Sequence, residues 1–165
     1  MEAIPNSGWS TPGLYHKSKP MKKYKYWIGI DTGVNTGMCI WDSQIKKIIA
    51  LETMGILEAQ AFLSGFFIKD KSQFFLRLED ARLRKWIPHQ KTEKAERGRR
   101  EGAGSVKRDA QIWEDFCQMQ GIDYELVPPK NNKTKVTAEY FRMITKWQDK
   151  TNEHARDAAM LVFGK

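Results

Sequence analysis

A chain of 165 residues has the length of one domain, and 41% hydrophobic with 12% aromatic residues suffices for a buried core, which excludes a disordered polymer. A net charge of +8 and a pI near 9.5 favour a polyanionic partner over a generally basic, soluble surface with no such role. No apolar run approaches the roughly 20 residues of a membrane span.

Residues 1–23 carry Ser7-Gly8, Pro12-Gly13 and Lys17 to Lys23 without periodicity, which predicts a flexible basic tail before a single domain over 24–165. Met1 to Lys25 contains no apolar core followed by a small-residue cleavage site, so no secretory signal is expected. Tyr24 to Asp31 reads as the first strand, and Thr32-Gly33-Val34-Asn35-Thr36-Gly37 as turn chemistry in which glycines supply positive φ. Met38 to Trp41 and Ile45 to Thr53, separated by Asp42-Ser43-Gln44, complete a three-strand antiparallel meander. Cys39, in the second of these strands, and Cys117 have no partners at metal spacing and form no disulfide framework. They read as reduced core thiols of a cytoplasmic protein.

Ile56, Ala59, Leu63, Phe66 and Phe67 recur at helical spacing, so a helix should cross over to a fourth strand, Phe74–Glu79. A crossover of that length normally returns parallel, here beside the first strand. A polar stretch follows, crowded with Arg82, Arg84, Lys85, Lys91, Lys94, Arg97, Arg99 and Arg100, and ends at Gly102-Ala103-Gly104. Ser105 then caps a helix through Val106, Ile112, Trp113, Phe116 and Met119. Tyr124 to Val127 is a short fifth strand stopped by Pro128-Pro129. The lysine-rich loop Lys130 to Lys135 precedes a helix near Thr137–Lys146, and Asn152 caps a last helix. The fold class is α/β.

Asp31 and Glu79 each end an apolar strand, and a parallel fourth strand beside the first would make them neighbours at one sheet edge. On the last helix His154 and Asp157 are three apart and share a face, which Leu161 extends into the core. Ala155, Ala158 and Ala159 are small enough to let that helix lie close to a sheet. A charge at the end of a buried run is costly unless something compensates it. Three such acids on a basic chain point to a divalent-metal site acting on a phosphate polymer. Each also has an ordinary role open to it. Asp31 can cap a turn, Glu79 can pair with Arg82, and Asp157 can stabilise a helix N-terminus beside a surface His154.

Taken in order, Ile28-Gly29-Ile30-Asp31-Thr32-Gly33, Thr36-Gly37, Leu78-Glu79 and His154-Ala155-Arg156-Asp157-Ala158-Ala159 resemble the RuvC-type Holliday junction resolvases, above all their compact phage-borne relatives. The resemblance runs from Tyr24 to Phe163. It implies a ribonuclease H-like fold, a five-stranded mixed sheet with strand four parallel to strand one and helices on its flanks. It also implies Asp31, Glu79 and Asp157 as metal-binding acids for two magnesium ions, with manganese able to substitute. His154 stands where the family has histidine or aspartate, and either ligates metal or positions the attacking water.

The implied activity is paired phosphodiester hydrolysis at four-way DNA junctions in recombination and repair, leaving 5′-phosphate and 3′-hydroxyl ends, by a homodimer. Lys135 matches the family's essential lysines, with Lys130 and Lys133 nearby. Arg97, Arg99 and Arg100 would grip DNA arms through the backbone, and Lys107 and Arg108 begin a helix whose N–H groups favour phosphate. Trp86 or Phe75 offers a surface for base stacking. The chain departs from the family's Asp-Pro-Gly with Asp31-Thr32-Gly33, and Asp80 directly after Glu79 leaves two candidates for the second acid. Strand alternation sends those two to opposite faces, and Glu79 is the one that ends the apolar run. Other branched DNA, RNA–DNA hybrids and a non-catalytic junction-binding module remain open as alternatives. A half-size aspartic protease would leave Glu79 and Asp157 without a role.

Overall fold

The computed structural model describes residues 24–67, 70–84, 93–129 and 135–165, with backbone alone for 93–101 and 103. The tail expected over 1–23, Trp86, Lys130 and Lys133 lie outside these residues, as do the side chains of Arg97, Arg99 and Arg100.

Alternating and β-branched runs form β1 (Tyr26–Asp31), β2 (Asn35–Asp42) and β3 (Lys47–Gly55), paired antiparallel as a meander. Helix α1 (Ile56–Phe66) crosses over to β4 (Phe74–Glu79), which runs parallel to β1, and β5 (Asp123–Val127) runs parallel to β4. The sheet order is β3-β2-β1-β4-β5. Helix α2 (Glu93–Gln120) joins β4 to β5, and α3 (Ala138–Thr145) and α4 (Glu153–Val162) close the chain. This is the five-stranded mixed sheet with flanking helices of a ribonuclease H-like fold.

Strand alternation divides the core in two. Ile28, Ile30, Met38, Ile40, Leu76 and Leu78 face Ala59 and Leu63 of α1 and Trp113 and Phe116 of α2. Cys39, Trp41 and Leu51 on the opposite face meet Phe141 of α3 and Ala155, Ala158 and Leu161 of α4. Cys39 and Cys117 are buried free thiols, and burial pushes Cys117 up to about 12, so neither forms a thiolate at neutral pH. Among the described residues no helix is long and apolar enough to cross a membrane.

The alanines of α4 supply only half of its close approach; two glycines supply the rest. A Cβ on Gly29 would lie 2.0 Å from the Ala158 carbonyl oxygen, and one on Gly37 would lie 2.0 Å from that of His154. Gly37 is therefore a residue of β2 kept bare for a helix, and not a turn glycine at positive φ. Among the described glycines positive φ occurs only at Gly121 and Gly164.

Helix α2 corrects a second expectation. It runs 28 residues from Glu93, so Gly102, Gly104 and Ser105 are helical and Ser105 caps nothing. Lys107 and Arg108 consequently lie inside a helix and not at its N-terminus. Each helical glycine costs about 1 kcal/mol against alanine. The surrounding Glu, Lys, Arg and Ala are strong helix formers, and Glu93 with Arg97 and Glu96 with Arg100 stand at the supportive spacing of four.

Candidate active site

The β1–β4 ladder ends at the pair Ile30↔Leu78, which sets the next residues of both strands, Asp31 and Glu79, side by side. Both share the parity of Gly29 and Arg77 and so belong to the sheet face that α4 covers. The first turns of α4 cross that edge with His154 and Asp157. Asp80 alternates to the other face, is 1% exposed, caps the turn Ala81–Leu83 through the Arg82 N–H at 2.8 Å, and pairs with the Arg82 guanidinium at 2.8 Å. Arg82 continues to Glu114 and Gln111 of α2. Its partner is thus Asp80 and not Glu79, and Glu79 is the acid that faces Asp31 and Asp157.

His154 Nδ1 lies 2.8 Å from Asp31 Oδ2. Lys135 Nζ lies 2.8 Å from Asp157 Oδ2 and 3.8 Å from Glu153 Oε2. Two local devices set these positions. The Asn152 side chain accepts from the Ala155 N–H at 2.9 Å, starting α4, and from Thr53 Oγ1 at 2.8 Å, fixing that start over the edge of the sheet. Arg156 donates from Nε to the Val136 carbonyl at 3.0 Å and from Nη1 to that of Thr151 at 3.0 Å. It thereby ties the segment carrying Lys135 to the helix carrying Asp157. Thr53 falls in no sequence motif, and the motif that contains Arg156 assigns it no role; only the fold shows what they hold.

The acids feel one another. Burial first, then the charges of Asp31 and Asp157, push Glu79 up to about 7, against the pull of Lys135 and Arg84. Asp31 is raised by burial and by Asp157, and lowered by His154 and Lys135. Lys135 is raised, chiefly by its hydrogen bond to Asp157 and then by the charges of Asp157, Glu153 and Asp31. Among the described residues no three acid, histidine or cysteine side chains converge closely enough to hold an ion as they stand. One oxygen of Asp31 is engaged by His154 and one of Asp157 by Lys135. The donor set nevertheless fits a hard divalent cation, because three carboxylates offer oxygen ligands and a mutual repulsion that such a cation relieves.

Lys107 and Arg108 ride on α2, which packs against the sheet face opposite the acids, and Arg108 is held to Asp109 at 2.8 Å. Phe75 packs against Tyr24 and Trp27, each with a ring-centre separation of 4.9 Å, so its ring is engaged in the fold.

No protein-family model matches the chain, and no curated protein matches it in sequence. Among solved structures it is similar to T. thermophilus RuvC in complex with a Holliday junction substrate. The identity is 13%, the match covers 82% of this chain and 89% of that one, and the TM-score is 0.55. A likeness at that identity is one of fold.

Proposed function

We propose that the protein is a divalent-metal-dependent DNA endonuclease that resolves four-way junctions by paired hydrolytic cuts, acting as a homodimer in the cytoplasm. The observation that carries this reading is the placement of Asp31, Glu79 and Asp157, from β1, β4 and α4, at one end of the sheet where their charges act on one another, beside His154 and Lys135 on a chain of net charge +8. The fold shared with a junction-bound RuvC supports it.

Asp31, Glu79 and Asp157 would hold magnesium or manganese, which when bound supplies an activated water and offsets the charge on the leaving 3′-oxygen. His154, held to Asp31 through Nδ1, keeps its second ring nitrogen for water or for a ligand. Lys135 brings the positive charge that an anionic phosphodiester needs beside three carboxylates. Arg97, Arg99, Arg100, Lys107, Arg108, Lys130 and Lys133 supply backbone contacts that set affinity without reading sequence.

The test is cleavage of an immobile four-way junction beside a matched duplex, in magnesium, manganese or EDTA. Symmetric paired nicks on the junction alone, lost in EDTA, are expected. Tight junction binding without cutting would overturn the reading in favour of a binding module. Equal cutting of forks, flaps or RNA–DNA hybrids would make the enzyme a broader nuclease.

A further inference from the structure

The backbone pairing of β1 with β4 stops at Ile30↔Leu78, one residue short of both Asp31 and Glu79. Beyond it, Asp31 is backed by Gly37 of β2 and Glu79 by Val127 of β5, so the backbone ladders tie each acid to its outer neighbour. What links the two acids to each other is a side chain. Thr32 Oγ1 donates to the Glu79 carbonyl oxygen at 2.7 Å, across 47 residues of sequence. Thr32 is 7% exposed, so water does not readily replace that bond. The turn is braced again where Thr36, fully buried, donates from Oγ1 to the Gly33 carbonyl at 2.7 Å.

We infer that Thr32 is a positioning residue: its hydroxyl serves as the missing rung between β1 and β4 and fixes the separation of Asp31 and Glu79 for a shared divalent cation. Thr32 acts through the two acids, one joined to it by a peptide bond and the other held by its own carbonyl. This inference rests on the metal-dependent reading of the site, which it deepens.

Manganese titration of the DNA-free protein, followed by calorimetry, tests it. Thr32→Val keeps the shape and removes the donor, and is expected to weaken manganese binding about tenfold, as loss of an outer-shell partner does. Thr32→Ser keeps the donor and should stay within about twofold of the parent chain. Junction affinity in EDTA should be unchanged in both. If the bond serves only the fold, Thr32→Val lowers the melting temperature and leaves manganese affinity intact, which overturns the inference. Thr32→Ala carries the same comparison should the valine variant melt below the assay temperature. A parent chain that takes up manganese yet cuts no junction would remove the nuclease reading and leave this one standing. A parent chain that takes up none would overturn both.

Discussion

Burying Glu79 beside Asp31 and Asp157 has a cost that depends on pH. Its proton affinity in the folded chain is raised from about 4.5 to about 7. Below 4.5 the group is protonated both folded and unfolded, and it costs nothing. Between those values the unfolded chain gives up the proton that the folded chain keeps, so stability falls as pH rises and stays low above 7. In EDTA, Glu79→Gln should therefore raise stability at pH 8 by about 1–2 kcal/mol, less than the whole shift because the carboxyl is only partly buried. At pH 4 the same variant should match the parent. Equal effects on the two melting curves would take Glu79 out of the acid cluster. Asp157→Asn tests a different property. It removes a carboxylate and frees Lys135, so junction binding should persist while cleavage falls by more than about 100-fold, beyond an outer-shell effect. Cleavage at the parent rate would remove Asp157 from the site.

Helix α4 is the element on which the site depends, since it carries His154 and Asp157 and lies flush against β1 and β2. At Gly37 the obstacle to a side chain is the carbonyl of His154, which no rotamer change can move. Gly37→Ala should push the start of α4 outward, cost on the order of 3 kcal/mol in thermal melts and abolish cleavage with it. Gly65→Ala, on α1 with nothing within 4 Å of the added methyl, should instead stabilise by about 0.5–1 kcal/mol. Loss of stability in both would mean that packing against α4 is not what keeps Gly37 bare. Gly37 also marks where sequence reasoning stops. Strand β4 is legible residue for residue, because the apolar run Phe74 to Glu79 ends at charge, and its alternation sets a buried face against a half-buried one. That same alternation separates Glu79 from Asp80. The reason for Gly37 was not legible, because the atom it avoids belongs to a helix near the other end of the chain. The Thr32–Glu79 and Arg156–Val136 bonds are hidden likewise, since a threonine in a turn or an arginine on a helix has many ordinary roles. The early start of α2 is hidden for the opposite reason. Gly102, Gly104 and Ser105 look like breakers locally, and a run of strong helix formers around them outweighs that cost.

For the whole molecule the decisive property is how its charge is arranged. Three acids stand at one sheet edge, while the chain as a whole carries +8. Without a bound cation the acids repel a phosphate and Lys135 offsets only part of that, so most of the energy that holds DNA there comes from cations elsewhere on the surface. Arg97, Arg99 and Arg100 lie together in the sequence on the N-terminal half of α2, where four residues span about one helical turn. Each phosphate contact on duplex DNA releases counterions and adds about 0.9 to the slope of log affinity against log salt. If these three arginines each hold a phosphate, changing all three to alanine should lower that slope by about 3 while leaving the preference for a junction over duplex unchanged. The comparison is made in EDTA, so that cleavage and metal binding play no part. An unchanged slope would take α2 out of the DNA interface. The basic term would then have to come from cations outside α2, among them Lys135 beside Asp157. A reduced slope with lost junction preference would mean that these arginines read the branch itself, and that the junction's shape is sensed on α2 and not at the acids.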